Sequence, residues 1–264
     1  MESSFLQLLI FGTAAAAANI LGGLLLFPSR FRAEYRWVLR YLLALGAGFM
    51  LAVTFLEIVP RTVLLWLSNS PGDERLHVPM LLFLGGYVLT QFFEHTIAPH
   101  FHTGQEAHAE TVIMPRSAYA GIGGLMIHTF LDGVTIAAAT QLDPRAGFLV
   151  FIAVFLHKFP EGLTIASMVL AAGQGIRQVI IATSTVGAAT LLGVILFFYF
   201  GSGLGVSAAY VLPIASGITL YVAASDLIPE VNHHGGRNPM VSISVLAGVL
   251  LFFALRWAVP EAGH

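Results

Sequence analysis

The sequence predicts an all-α, polytopic membrane protein: one transmembrane domain over residues 1–264, with eight helices in a 3+2+3 inverted-repeat bundle. Three observations predict it. Hydrophobic residues make up 57% of the chain and charged residues 10%, against about 25% charge in an average soluble domain. Apolar runs recur from end to end, each near the roughly 20 residues that cross the hydrocarbon core. Two pairs of segments also repeat one another along the chain.

The spans run over Phe5–Phe27, Trp37–Trp66, His77–Phe101, Pro115–Thr140, Arg145–Ala172, Ile176–Phe200, Ser207–Val231 and Met240–Val259. Glu2 and the lack of an early Lys or Arg make the first run a retained helix rather than a cleaved signal. The second run is long, and its turns after Pro60 extend beyond the core. The fifth contains Pro160, which cannot donate to the carbonyl of Leu156 and predicts a kink there. Connections are short except for a polar segment over 100–115, which carries His100, His102 and His108.

Basic residues set the orientation. With the termini outside, the inner side holds Arg30, Arg32, Arg36, Arg40, Arg116, Arg177 and Arg237, and the outer side Arg61, Arg75, Arg145 and Arg256. This bias places both termini outside the cytoplasm and the His-containing loop within it. The net charge of −2 and the absence of a basic block point away from nucleic acid. The chain has no cysteine, which excludes disulfides and thiolate metal sites.

One repeat relates Gly48-Phe49-Met50-Leu51-Ala52-Val53, followed by Glu57 and Pro60, to Gly217-Ile218-Thr219-Leu220-Tyr221-Val222, followed by Asp226 and Pro229. The offset is constant at 169 residues, and the two spans run in opposite directions, the signature of an inverted repeat. The other repeat carries the chemistry. His128-Thr129-Phe130-Leu131-Asp132-Gly133 and His157-Lys158-Phe159-Pro160-Glu161-Gly162 each set a histidine and a carboxylate four residues apart, on one helix face. His128 lies 15 residues before Asp143, and His157 lies 14 after it. At a rise of ~1.5 Å per residue both sit about 20 Å from that turn, near the midplane of the core. Ionisable groups are costly at that depth and mark functional positions. Imidazole and carboxylate together suit a divalent transition metal: zinc first, with iron, manganese, cadmium and cobalt also served.

These motifs resemble the ZIP (Zrt/Irt-like) divalent metal transporter family, in its prokaryotic-type form, and the similarity extends over all eight spans. The family's span-four motif reads approximately His-Asn-x-Pro-Glu/Asp-Gly, and span five His/Gln-Asp/Glu-x-Pro-Glu-Gly. His157, Pro160, Glu161 and Gly162 match, as do His128, Asp132 and Gly133. The resemblance implies that His128, Asp132, His157 and Glu161 are the transport-site ligands. It also implies import of the metal through a cell membrane to the cytosol, and often a homodimer.

The departures are informative. Thr129 stands where the family usually has Asn, Leu131 replaces a proline, and Lys158 replaces an acid that would serve a second metal. The stretch Ser184-Thr185-Val186-Gly187 in span six lacks a Glu that some members use there. An ammonium at Lys158 would take the place of a second cation and repel another, which predicts a mononuclear site. The alternatives are that Lys158 snorkels away along its flexible stem or forms a structural ion pair.

Asp226 and Glu230, at the inner end of span seven, are candidates to receive departing metal; Glu57, placed symmetrically, belongs to an entrance or pairs with Arg61. His95, His100 and His102 are candidate loop chelators. The reading is a metal carrier and not an enzyme, with lipid and the metal ion as partners. An intramembrane metal-dependent hydrolase would use the same ligands to activate water. The chain lacks His-Glu-x-x-His and any separate carboxylate at that depth to act as base.

Overall fold

A computed structural model describes residues 2–25, 32–69, 76–96, 115–201, 208–235 and 238–259. Eight rods carry almost all of them. Helix α1 is Glu2–Leu24; α2 is Arg32–Val53, continued through a π-helical turn Thr54–Ile58 and Val59–Asn69. Helix α3 is His77–Thr96, α4 Pro115–Leu142, α5 Pro144–Ala171 and α6 Ile176–Phe200. Helix α7 is Ala208–Tyr221 with a π turn Val222–Leu227 and Ile228–Gly235, and α8 is Pro239–Ala258. Seven of these are long and apolar enough to cross a membrane, and α3 supplies a shorter apolar helix, His77–Phe93. The protein is an all-α polytopic membrane protein, with no strand among the described residues. His100 and His102 lie outside the described residues, as does the side chain of Glu230.

The punctuation is set by short-range chemistry. Asp143, in extended conformation, accepts from Arg145 N at 3.3 Å and caps α5, with Pro144 at the first helical position. Asn238 does the same for α8, accepting from Met240 N at 3.0 Å ahead of Pro239. Gly173, at φ 74°, closes α5 in the left-handed conformation that lacks a Cβ penalty only for glycine. Helix α5 stays helical through Pro160 rather than ending there. Prolines elsewhere free carbonyls that side chains then take up. Pro60 leaves Leu56 O to Arg256 Nη1 at 3.0 Å, and Pro213 leaves Ala209 O to Trp66 Nε1 at 2.9 Å.

Packing sorts the rods into two groups. Helices α1, α4, α5 and α6 pack on one another, α2 with α8 and α3 with α7, and α2 and α7 lean on α5 and α4 respectively. Glycines make the tightest approaches, as expected where close van der Waals contact rather than the hydrophobic effect joins helices. A methyl on Gly162 would strike the carbonyl of Asn19, and one on Gly22 that of Phe159, joining α1 to α5. In the same way Gly133 faces Thr190 O and Gly193 faces Phe130 O, joining α4 to α6. Gly48 and Gly248 face Val245 O and Leu45 O between α2 and α8; Gly217 and Gly86 face Phe83 O and Ile214 O between α3 and α7. Each contact therefore has a counterpart in which α1 to α3 stand for α6 to α8, and α4 for α5. Helices α4 and α5 follow one another across Asp143. The two π turns also correspond, one holding Glu57 and the other Asp226. Of the other glycines in paired runs, Gly85 and Gly123 meet nothing and are not packing positions.

Candidate metal centre

Helices α4 and α5 pack against one another. Helical spacing aims His128 and Asp132 to one side of α4, and His157 and Glu161 to one side of α5. One ligand atom from each of the four lies within 4.8 Å of the others. His128 Nε2 is 3.4 Å and His157 Nε2 3.2 Å from the same oxygen, Asp132 Oδ2, and His157 Nε2 is 3.9 Å from Glu161 Oε2. The two rings tilt with centroids 5.7 Å apart.

The tautomer of His157 follows from its neighbour. Nδ1 lies 3.0 Å from Ala153 O, a carbonyl that can only accept, so Nδ1 carries a proton, and Nε2 is the ring atom turned inward, 3.2 Å from Asp132 Oδ2. Such an outer-shell bond fixes ring orientation in metal sites. His128 Nδ1 is buried without a hydrogen-bond partner. Beside that ring an apolar cavity opens between α3, α4 and α7, lined by Leu89, Thr90, Phe93, Gly124, Ile127, Leu131 and Ile218.

Lys158 does not snorkel. It is fully buried, and its Nζ sits 2.8 Å from Asp132 Oδ2, 2.5 Å from Glu161 Oε2 and 3.1 Å from Thr129 Oγ1. The ammonium thus touches one oxygen of each carboxylate in the donor set. Two further side chains complete this half of the site. Asn19 Nδ2 on α1 and Thr129 Oγ1 both donate to Glu161 Oε1, each at 2.7 Å. Asn19 was not singled out from sequence, although an amide following five alanines deep in an apolar span is the signal that could have found it. Its position depends on Gly162, whose missing side chain lets the Asn19 backbone come close.

The remaining candidates lie apart from this cluster. Glu57 is 2% exposed and ion-paired: Oε1 is 2.6 Å from Arg61 Nε, and Oε2 is 3.3 Å from Arg256 Nη1. Arg61 Nη2 also reaches Asp143 Oδ2 at 2.5 Å, tying α2 to the α4–α5 turn. Of the two roles expected for Glu57, the pairing with Arg61 is present. Asp226 occupies the matching π turn of α7 and is half-buried. His95 is exposed on the last turn of α3.

A helical membrane bundle with two imidazoles and two carboxylates gathered at one buried place belongs to the class of membrane proteins with a group that could hold a metal ion. Residues 104–256 match the family model described as ZIP zinc transporter. The match covers more than half of the chain, and the protein belongs to the ZIP family. Helices α4 to α7 and all but the end of α8 fall within the matched residues; α1 to α3 precede them. No curated protein matches the chain.

Proposed function

We propose that the protein carries zinc, in preference to other divalent transition metals, across the membrane toward the cytoplasm, one ion at a time, on His128, Asp132, His157 and Glu161. The observation that carries this reading is the convergence of four donor atoms within 4.8 Å at a buried site on two helices. Two imidazole nitrogens and two carboxylate oxygens complete a tetrahedral set, the arrangement zinc adopts most readily.

Charge supports the single ion. Two carboxylates and one ammonium leave the site at −1, and one divalent ion brings it to +1. A second would bring it to +3 in a medium where uncompensated charge is expensive. Lys158 thus balances the acids before metal arrives and shifts aside as metal takes their oxygens.

The arginine bias supports termini outside, and on that reading metal would leave toward the Asp226 and Glu230 end of α7. Helices 1–3 and 6–8 then act as inverted repeats about the site-bearing pair, with the 100–115 loop cytoplasmic. Uptake of labelled zinc into proteoliposomes should fall to background in His157→Ala. Undiminished uptake would sink the proposal.

A further inference from the structure

We infer that Asn19 and Thr129 determine metal selectivity by confining Glu161 to a single ligating oxygen. The inference rests on the transport site proposed above and concerns which ions that site prefers.

The two oxygens of Glu161 are in unlike surroundings. Oε2 faces the histidines and Lys158, whereas Oε1 is turned toward α1 and receives Asn19 Nδ2 and Thr129 Oγ1 at 2.7 Å each. The direction of the Thr129 bond is fixed. Lys158 Nζ is 3.1 Å from the same hydroxyl and can only donate, so the Thr129 proton points to Glu161. Both donors are fully buried. If Oε1 swung to a metal, Asn19 Nδ2 and Thr129 Oγ1 would be left without an acceptor in a dry interior. Glu161 is therefore held to one-oxygen binding through Oε2.

That restriction has a chemical consequence. With one oxygen from each acid and one nitrogen from each histidine, the site offers four donors. Four suit Zn²⁺, while Mn²⁺ seeks an oxygen-rich set of six and gains more from a carboxylate that can offer both oxygens. Asn19 and Thr129 are positioning residues: they touch Glu161, and Glu161 touches the ion. Freeing Oε1 should favour manganese over zinc.

The test uses the full chain in proteoliposomes, with initial rates of Zn²⁺ and Mn²⁺ uptake in Thr129→Val, Asn19→Leu, Thr129→Ser and His157→Ala. The Mn:Zn ratio of kcat/KM should rise about fivefold in Thr129→Val and Asn19→Leu, the scale of one net hydrogen bond. Thr129→Ser, which keeps the hydroxyl, should restore the ratio. Thr129→Val conserves shape and decides the matter if Asn19→Leu fails to fold. A ratio unchanged in the valine variant, or equal loss of both ions in folded protein, overturns the inference while His157→Ala still abolishes uptake. Uptake that survives His157→Ala overturns the site itself, and the selectivity inference with it.

Discussion

The ammonium of Lys158 lies 2.5 Å from Glu161 Oε2, on the very oxygen that faces His157. On the proposed reading an internal cation and a transported cation compete for that oxygen, and for Asp132 Oδ2, 2.8 Å from Lys158 Nζ. Replacing the lysine should alter both stability and metal count. In Lys158→Met the two acids lose their buried counter-charge, which costs about 3–5 kcal/mol when a buried pair is broken. Thermal unfolding in detergent should show a lowered Tm that added zinc raises more than it raises wild type. Equal zinc responses would count against the competition.

Stoichiometry gives an independent check. Metal titration of the purified wild type should saturate at one ion per chain in the membrane region. Lys158→Asp exchanges the ammonium for a ligand and should admit a second ion. Two tight ions in the wild type, both lost in Glu161→Gln, would refute the single-ion site.

Binding should also weaken in acid. The ligands accept metal only through deprotonated nitrogens and oxygens, so each ion bound displaces any protons held there. The sign is fixed: zinc affinity should fall as pH is lowered from about 7.5 to about 5.5, and uptake with it. Isothermal titration at the two pH values, in buffers of different ionisation enthalpy, would report the protons released. An affinity indifferent to pH would contradict histidine and carboxylate ligation.

Glycine substitutions test the packing directly. Gly133→Ala and Gly162→Ala each drive a methyl into a backbone carbonyl, of Thr190 and Asn19 respectively. Overpacking of this kind costs about 1–3 kcal/mol, and the two variants should lose similar stability because their contacts are symmetric. Gly85→Ala and Gly123→Ala meet open space, so the helix preference of alanine should leave them neutral or up to about 1 kcal/mol more stable. Matched melting curves of the four variants would decide it.

Glu57→Gln separates support from transport. Glu57 is buried, but Arg61 and Arg256 are each about a third exposed, so water screens their share and the loss should be about 1–3 kcal/mol. The expected result is a lower Tm with the zinc KM unchanged. A raised KM at unchanged Tm would place Glu57 on the ion's route instead.

The amino-acid sequence by itself determined the class of fold, the spans and the paired His-to-acid motifs. These depend on composition and on spacing along one helix, both local properties. It also carried the repeat that matches Glu57 to Asp226, each of which lies in a π turn. Only the tertiary structure decided how those groups are partnered. Lys158 could have reached toward either end of its helix; the Asp132 oxygen on a neighbouring helix holds it at the centre. Glu57 pairs with Arg61 on its own helix, as spacing offers, and also with Arg256, 199 positions further along the chain, which spacing does not. Asn19 was a single amide among alanines until the Gly162 contact carried it to Glu161. The physical reason is common to all three. A charge or amide buried in a membrane bundle must find a partner, but spacing along one helix names only the partners on that helix. The partners added here sit on other helices and are brought in by tertiary packing, for Asn19 by the close approach at Gly162.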